Sequence, residues 1–354
     1  MVPSARISAC LYYVSVLSVI GWSSTPLNRL PQDKQARMWQ IAFHRGHDVW
    51  VANGDGTHQH LLVKNGEHPA WSPDKTKLAF ARGNAVWTVW ADGTHVHRVA
   101  EWDGPADSGD TGWWGGVGIT WCPDAPYLVY SHELPYKISP PNAGILMCSA
   151  IDSAWLWLPD QLTPRSGGRS NAFIEPTSVL EQNSFPVFDR SGKHIAFACN
   201  GDVWVATRQP DDPDVDPGVP RSFRTLHEWD SARLAPVAVY QRRTIGADKY
   251  EVGVTHLCWS PDGKKLVYAL ERIGGSGTWE IHSLSLRPDP DREFRVESDR
   301  EVAEGLQPAF SPDGREIAFL GQGPDNKFES IMVLGPNPAT PPQLFIAHAE
   351  EPAW

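Results

Sequence analysis

The chain lacks the short signatures that mark most catalytic folds. It has no GxSxG, HExxH, P-loop or GxGxxG segment, so a nucleophile elbow, a zincin helix and a nucleotide cradle are all unsupported. No cofactor is expected. Cysteine is sparse, with five residues at 10, 122, 148, 199 and 258 and no CxxC spacing, which reads as buried free thiols instead of a disulfide frame or a metal site. Basic charge is also short: 31 Lys and Arg against 42 Asp and Glu leave a net charge of −11. That balance argues against a nucleic-acid partner, whose phosphates need a basic face. Only one long apolar run occurs, Ile7 to Trp22, preceded by Arg6 and followed by Ser23-Ser24-Thr25-Pro26. The order is that of a secretory signal peptide, and the run is short for a membrane span. It predicts a leader over 1–24, a linker over 25–37, and a periplasmic or extracellular protein with no stable membrane insertion once the leader is cleaved.

What the chain has in abundance is tryptophan, proline and glycine: 17, 31 and 30 residues. Many large aromatics among many turn formers predict short strands packed between sheets. One phrase recurs. Leu257 to Leu270 reads as a strand ending at Trp259, a turn Ser260-Pro261-Asp262-Gly263, and a second strand from Leu266. Pro261 presets φ, Ser260 and Asp262 bond nearby amides, and Gly263 tolerates positive φ. Copies lie at Pro69–Phe80, Ile119–Tyr130, Pro186–Phe197 and Pro308–Phe319, and Glu351–Trp354 is a truncated one. Their aromatic anchors are Trp71, Trp121, Phe188, Trp259, Phe310 and Trp354. The closest anchors approach the ~40–45 residues of a four-stranded propeller blade, and wider gaps imply insertions. After each anchor come a second strand, a Trp-centred third such as Val86–Trp90 or Asp202–Ala206, a turn such as Ala91–Thr94, and a fourth strand. Gln40–Phe43, Asp48–Ala52 and His60–Val63 supply strands two to four of a unit whose first strand is missing. Glu351–Trp354 supplies a first strand alone. Joining them predicts an all-β fold: one six-bladed β-propeller over 38–354, made of four-stranded antiparallel blades and closed by exchange between the termini.

The WSPDG phrase followed by a short apolar strand resembles the PD40, WD40-like repeat of TolB-like periplasmic propeller proteins, across about residues 38–354. The resemblance implies a fold more than a function. TolB-like proteins carry an α/β domain ahead of the propeller, for which 25–37 has no room, so a Tol-system role is not implied.

Long loops on one face of a rigid scaffold are where propellers bind. Loops joining strands two and three share a face with those joining blades, and the turns bearing Asp74 or Asp262 lie opposite. Sorted this way, 102–118, 131–144, 163–183 and 227–253 fall on one face, and the acidic 207–222 on the other. Exposed aromatics on the first face, Trp113, Trp114, Tyr136 and Trp229, suit a sugar ring or a peptide side chain. Three residues before each anchor sit His68, Gly118, Phe185, His256, Gln307 and Glu351, which are expected to line the channel mouth near Glu67 and Glu350. His68, His256, Gln307 and Glu351 are therefore binding candidates. The two His with Glu351 would ligate a metal or serve acid–base chemistry only if the channel is narrow there, and a solvated polar channel is the expected outcome. Asp211, Asp212, Asp214 and Asp216 lack the glycine and closing Glu of a calcium loop. His58, His60, His95 and His97 are expected to face solvent. The reading is a non-catalytic binding scaffold for a protein, peptide or glycan; the alternative is a carbohydrate-active lyase or hydrolase with a polar or metal site at the channel mouth.

Overall fold

The computed structural model describes residues 39–101, 118–124, 127–131, 145–149, 172–174, 183–199, 202–207, 237–240, 254–271, 279–289, 293–324, 327–337 and 339–354. The predicted leader and linker, and the candidates Trp113, Trp114, Tyr136 and Trp229, lie outside them, as do Asp211 to Asp216.

The strands follow the repeats. The first unit holds β1 (Gln40–Arg45), β2 (Asp48–Asn53) and β3 (His60–Lys64); the second β4 (Glu67–Trp71), β5 (Lys77–Arg82), β6 (Ala85–Trp90) and β7 (His97–Glu101). The third holds β8 (Gly118–Trp121), β9 (Tyr127–Ser131), β10 (Ile145–Ser149) and β11 (Ala172–Ile174); the fourth β12 (Asn183–Phe188), β13 (His194–Cys199), β14 (Asp202–Thr207) and β15 (Val237–Tyr240). Next come β16 (Val254–Trp259), β17 (Lys265–Glu271), β18 (Trp279–Asp289) and β19 (Glu293–Glu304), then β20 (Leu306–Phe310), β21 (Ile317–Gln322), β22 (Phe328–Leu334) and β23 (Gln343–Ala347), and last β24 (Glu350–Ala353). They form six four-stranded sheets. Five are consecutive antiparallel meanders, and the sixth has the order β24-β1-β2-β3. Ala42 of β1 faces Ala353 of β24, and His44 faces Glu350. The chain is thus an all-β propeller.

The strand-two segments are continuous apolar runs, such as Leu78–Ala81 and Ile41–Phe43, all buried, because each sheet is covered on both of its faces. The resulting cores lie between neighbouring sheets. Ala42, Val49 and Val51 of the first unit pack with Leu78, Phe80 and Val89 of the second. Ile41 and Phe43 pack the other way, with Ala318, Ile331 and Ile346 of the β20–β23 sheet. Phe43, Phe80, Phe197 and Phe319 are fully buried at equivalent strand-two positions, each contributing roughly 1.5–3 kcal/mol by removal from water. Anchors also tie sheets together through polar atoms: Trp121 Nε1 donates to Ala70 O at 2.9 Å and Trp259 Nε1 to Val187 O at 3.2 Å.

The insertions sort differently from expectation. β11 and β15 are short fourth strands inside stretches that read as loop. The connection from β10 to β11 spans 150–171, and that from β14 to β15 spans 208–236. Both join strands three and four of their sheets. Of the stretches expected on the other face, 102–117, 132–144, 175–182 and 241–253 join strand two to three or one sheet to the next. The third and fourth strands of one sheet are much longer than the others, since β18 and β19 run on as a hairpin to Asp289 and Glu293. His58, His60, His95 and His97 are exposed.

Candidate functional site

The inner strands β4, β8, β12, β16, β20 and β24 line one cavity of about 250 Å³. At one end the repeat produces the same backbone device five times. Register slips between Glu67 and Ala70, Ser184 and Val187, Thr255 and Cys258, Leu306 and Ala309, and around β24 between Ala42 and His44 of its partner. Within each slip one residue adopts left-handed φ: His68 52°, Phe185 51°, His256 49°, Gln307 54° and Glu351 52°. Pro69, Pro186, Pro308 and Pro352 follow four of them, at the point where a ladder donor is not needed. The β8–β9 pair keeps register throughout. There Gly118 stands at the equivalent place, and a Cβ on it would come within 2.7 Å of Phe185 Cα.

Three of the predicted residues meet directly. Glu351 Oε1 lies 2.7 Å from His68 Nδ1, and its Oε2 accepts the His68 backbone N–H at 2.6 Å. The Glu351 N–H donates to Gln307 Oε1 at 2.9 Å. Burial alone would raise the Glu351 carboxyl, but the His68 imidazole and its hydrogen bonds outweigh this and hold it down at about 2. The fourth, His256, joins them through the field. Burial pushes its imidazole down to about 4, with Glu351 pulling it up and His68 pushing it further down. His256 is therefore neutral at pH 7. Its ring lies 4.3 Å from the Phe185 ring, and its Nδ1 is shut off from solvent with no hydrogen-bond partner among the described residues.

One contributor, His44, was missed by sequence reasoning, and a second, Glu350, was named only as a neighbour. His44, on β1 opposite Glu350, has a buried Nε2 with no partner among the described residues. Glu350 itself is raised by burial and by Glu351, with His44 opposing and Glu329 and Glu67 adding to the rise. The rim is thus a set of carboxylates that repel one another. Among the described residues no three His, Cys, Asp or Glu are grouped to hold a metal ion, so the site brings together a pair, His68 and Glu351, and not a ligand triad.

The opposite end of the inner strands is built on one plan in the five sheets whose first strand runs on into the second. Ser72, Ser260 and Ser311 donate Oγ–H to Asp74, Asp262 and Asp313 at 2.7, 2.6 and 2.7 Å. Each serine Oγ also accepts the N–H five residues on, from Lys77, Lys265 and Glu316. Cys122 makes the same contact to Asp124 at 3.0 Å. In the remaining turn the pair is exchanged: Ser191 donates to Asp189 at 2.6 Å, and Asp189 accepts the His194 N–H. These aspartates shape turns, as their repetition predicted. Near this end burial pushes the Cys258 thiol up to about 11, so it is inert, and it accepts the Phe310 N–H at 3.4 Å.

No family model and no curated protein matches the chain. Solved structures do. The nidogen–laminin complex superposes with a TM-score of 0.53 at 9% identity, covering 89% of this chain and 97% of that one. A putative TolB from Agrobacterium tumefaciens gives 0.48 at 12% identity over 88% and 90%, and a periplasmic gluconolactonase from Pseudomonas aeruginosa 0.46 at 14% over 88% and 98%. At such identities the likeness is one of fold. The chain is a β-propeller, in agreement with its resemblance to TolB-like, PD40-repeat proteins.

Proposed function

We propose that the chain is an exported binding scaffold: a six-bladed propeller over 38–354 that captures a protein, peptide or glycan on the face bearing 102–117, 132–144, 175–182 and 241–253. The observation that carries this reading is the contrast between the two ends of the inner strands. A shared turn closes one end, whereas the other presents a different side chain from almost every sheet around a single opening. Six sheets, the β24–β1 pairing and the core shared by the first and last sheets support a closed ring. Closure leaves no open end in the circle of blades. The leader-like 1–24 supports export.

A glycan and peptide array probed with the 25–354 protein tests the reading. It predicts capture of one ligand class, lost when 102–117 is replaced by a Gly/Ser linker of equal length and kept when 208–236 is so replaced. Capture that follows 208–236 instead would reverse the faces. N-terminal sequencing of secreted material checks the leader, with a mature start near residue 25 expected.

A further inference from the structure

The turn between β6 and β7 departs from its twin between β2 and β3, although the two share a backbone. Asn53 N–H donates to Thr57 O and Trp90 N–H to Thr94 O, both at 2.9 Å. Gly56 N–H returns to Asn53 O at 2.8 Å and Gly93 N–H to Trp90 O at 2.9 Å. His58 and His95 follow with left-handed φ of 55° and 56°. Asp55 and Asp92 each accept the hydroxyl of the threonine two residues on, at 2.6 Å. What differs is the side chain at the first position, asparagine at 53 and tryptophan at 90. Asn53 Nδ2 closes its turn on itself, donating to His58 Nδ1 at 2.9 Å and to Thr57 Oγ1 at 3.1 Å.

Trp90 opens its turn to solvent instead. Its indole stacks on the His95 imidazole, with centroids 4.7 Å apart and planes 28° from parallel, and stays 47% exposed. The imidazole covers one face, so that exposure belongs to the other face and the edge. Of the four large hydrophobic residues exposed among the described residues, Trp90 is the only aromatic, and Val96, next to His95, is another. Apolar surface left in water and rimmed by polar groups marks a binding site. The polar rim is ordered as well. Thr94 has one hydroxyl proton and gives it to Asp92, so the 2.8 Å contact between Thr94 Oγ1 and His95 Nδ1 is donated by the ring. In the neutral imidazole Nε2 is then an acceptor, whereas His58, whose Nδ1 accepts from Asn53, shows a donor. Asp92 uses only Oδ1 in this relay, and both Asp92 and His95 are exposed.

One open aromatic face with two acceptors at its edge is complementary to a sugar ring, which carries C–H bonds on a face and donating hydroxyls around its rim. A proline ring offers the face without the donors. A quaternary ammonium asks for several ring faces around it, and here there is one. We infer that Trp90, His95 and Asp92 form a pyranose-binding platform at the turn end of the second sheet, a site separate from the loop-bearing face.

The test is saturation-transfer NMR of the 25–354 protein with the methyl β-pyranosides of glucose, galactose and N-acetylglucosamine. At least one is expected to bind in the millimolar range, as a single stacked ring with a few hydrogen bonds allows, with transfer concentrated on the C–H protons of one sugar face. Trp90→Asn restores the side-chain network of the first turn, so it is expected to keep the thermal midpoint while weakening binding about tenfold or more. Asp92→Asn keeps an acceptor for Thr94 and is expected to weaken binding about fivefold. Leu344→Ala, at an equally exposed position on another sheet, is expected to change nothing. The inference is overturned if no glycoside binds, if binding is unchanged in Trp90→Asn, or if a triproline peptide or tetramethylammonium binds more tightly than every glycoside. The reading of the loop-bearing face is judged separately, by array capture that follows 102–117, and stands if this platform fails.

Discussion

The two ends of the inner strands were made by one repeat and have diverged to different degrees. At the turn end, Ser72, Ser260 and Ser311 make one bond to one aspartate in one geometry. Where a unit departs, it departs within the chemistry: Cys122 replaces a serine, and Asp189 and Ser191 exchange places while keeping the contact. At the mouth the backbone is equally constant, with five φ values between 49° and 54°. The side chains there span four chemistries over five positions: imidazole twice, phenyl, amide and carboxylate. A position whose backbone is fixed and whose side chain is free to differ is one where the repeat holds the geometry and something else selects the residue. Constancy marks structure; variation on a constant frame marks a site.

That contrast predicts unequal responses. The largest is expected for Glu351→Ala, which leaves the His68 imidazole and backbone N–H without their acceptor at a largely buried position. A loss of about 3–5 kcal/mol in denaturant unfolding is expected. Next is acid sensitivity from His256. Its folded value of about 4 lies below the ordinary 6.5, so the unfolded chain binds the extra proton first. Stability should fall as pH drops from 6.5 toward 4, by up to about 3 kcal/mol, and His256→Asn, which tolerates the left-handed backbone, should flatten that slope. Glu351 acts in the same direction lower down: its contribution is complete above its ordinary value of 4.5 and is lost as pH falls toward about 2. At the turn end effects should be smaller. Ser260→Ala removes an acceptor for Lys265 N–H and a donor to Asp262, costing about 1 kcal/mol. Smallest is Lys75→Gly. Lys75 occupies the glycine position of its turn at φ 60° and donates to Trp354 O at 2.6 Å. Relief of the left-handed cost, about 1 kcal/mol, should nearly cancel the lost hydrogen bond, leaving the denaturant midpoint within error of wild type.

Much of this was legible before any coordinates. Turn chemistry at Ser260-Pro261-Asp262-Gly263 fixed the units, and counting three residues back from each aromatic anchor reached His68, His256, Gln307 and Glu351. What escaped has physical causes. Ala172–Ile174 and Val237–Tyr240 are too short to display a period, so two fourth strands vanished into stretches that read as loops. The extension of β18 was written in Ile281, Leu284 and Leu286, which bury within a strand whose polar residues interrupt strict alternation. The bulges had a signal in the prolines after His68, Phe185, Gln307 and Glu351, since a proline inside a strand asks for a break in the ladder. His44 could not be found by repeat position alone, because its role depends on β24 arriving beside β1.

The measurement that bears most directly on the account compares two variants matched for stability, His256→Asn at the mouth and Ser260→Ala at the turn end, for capture of the ligand that the wild-type protein selects on the array. The account predicts at least a tenfold loss of affinity for the first and none for the second. Loss at the turn end with capture intact at the mouth would contradict it.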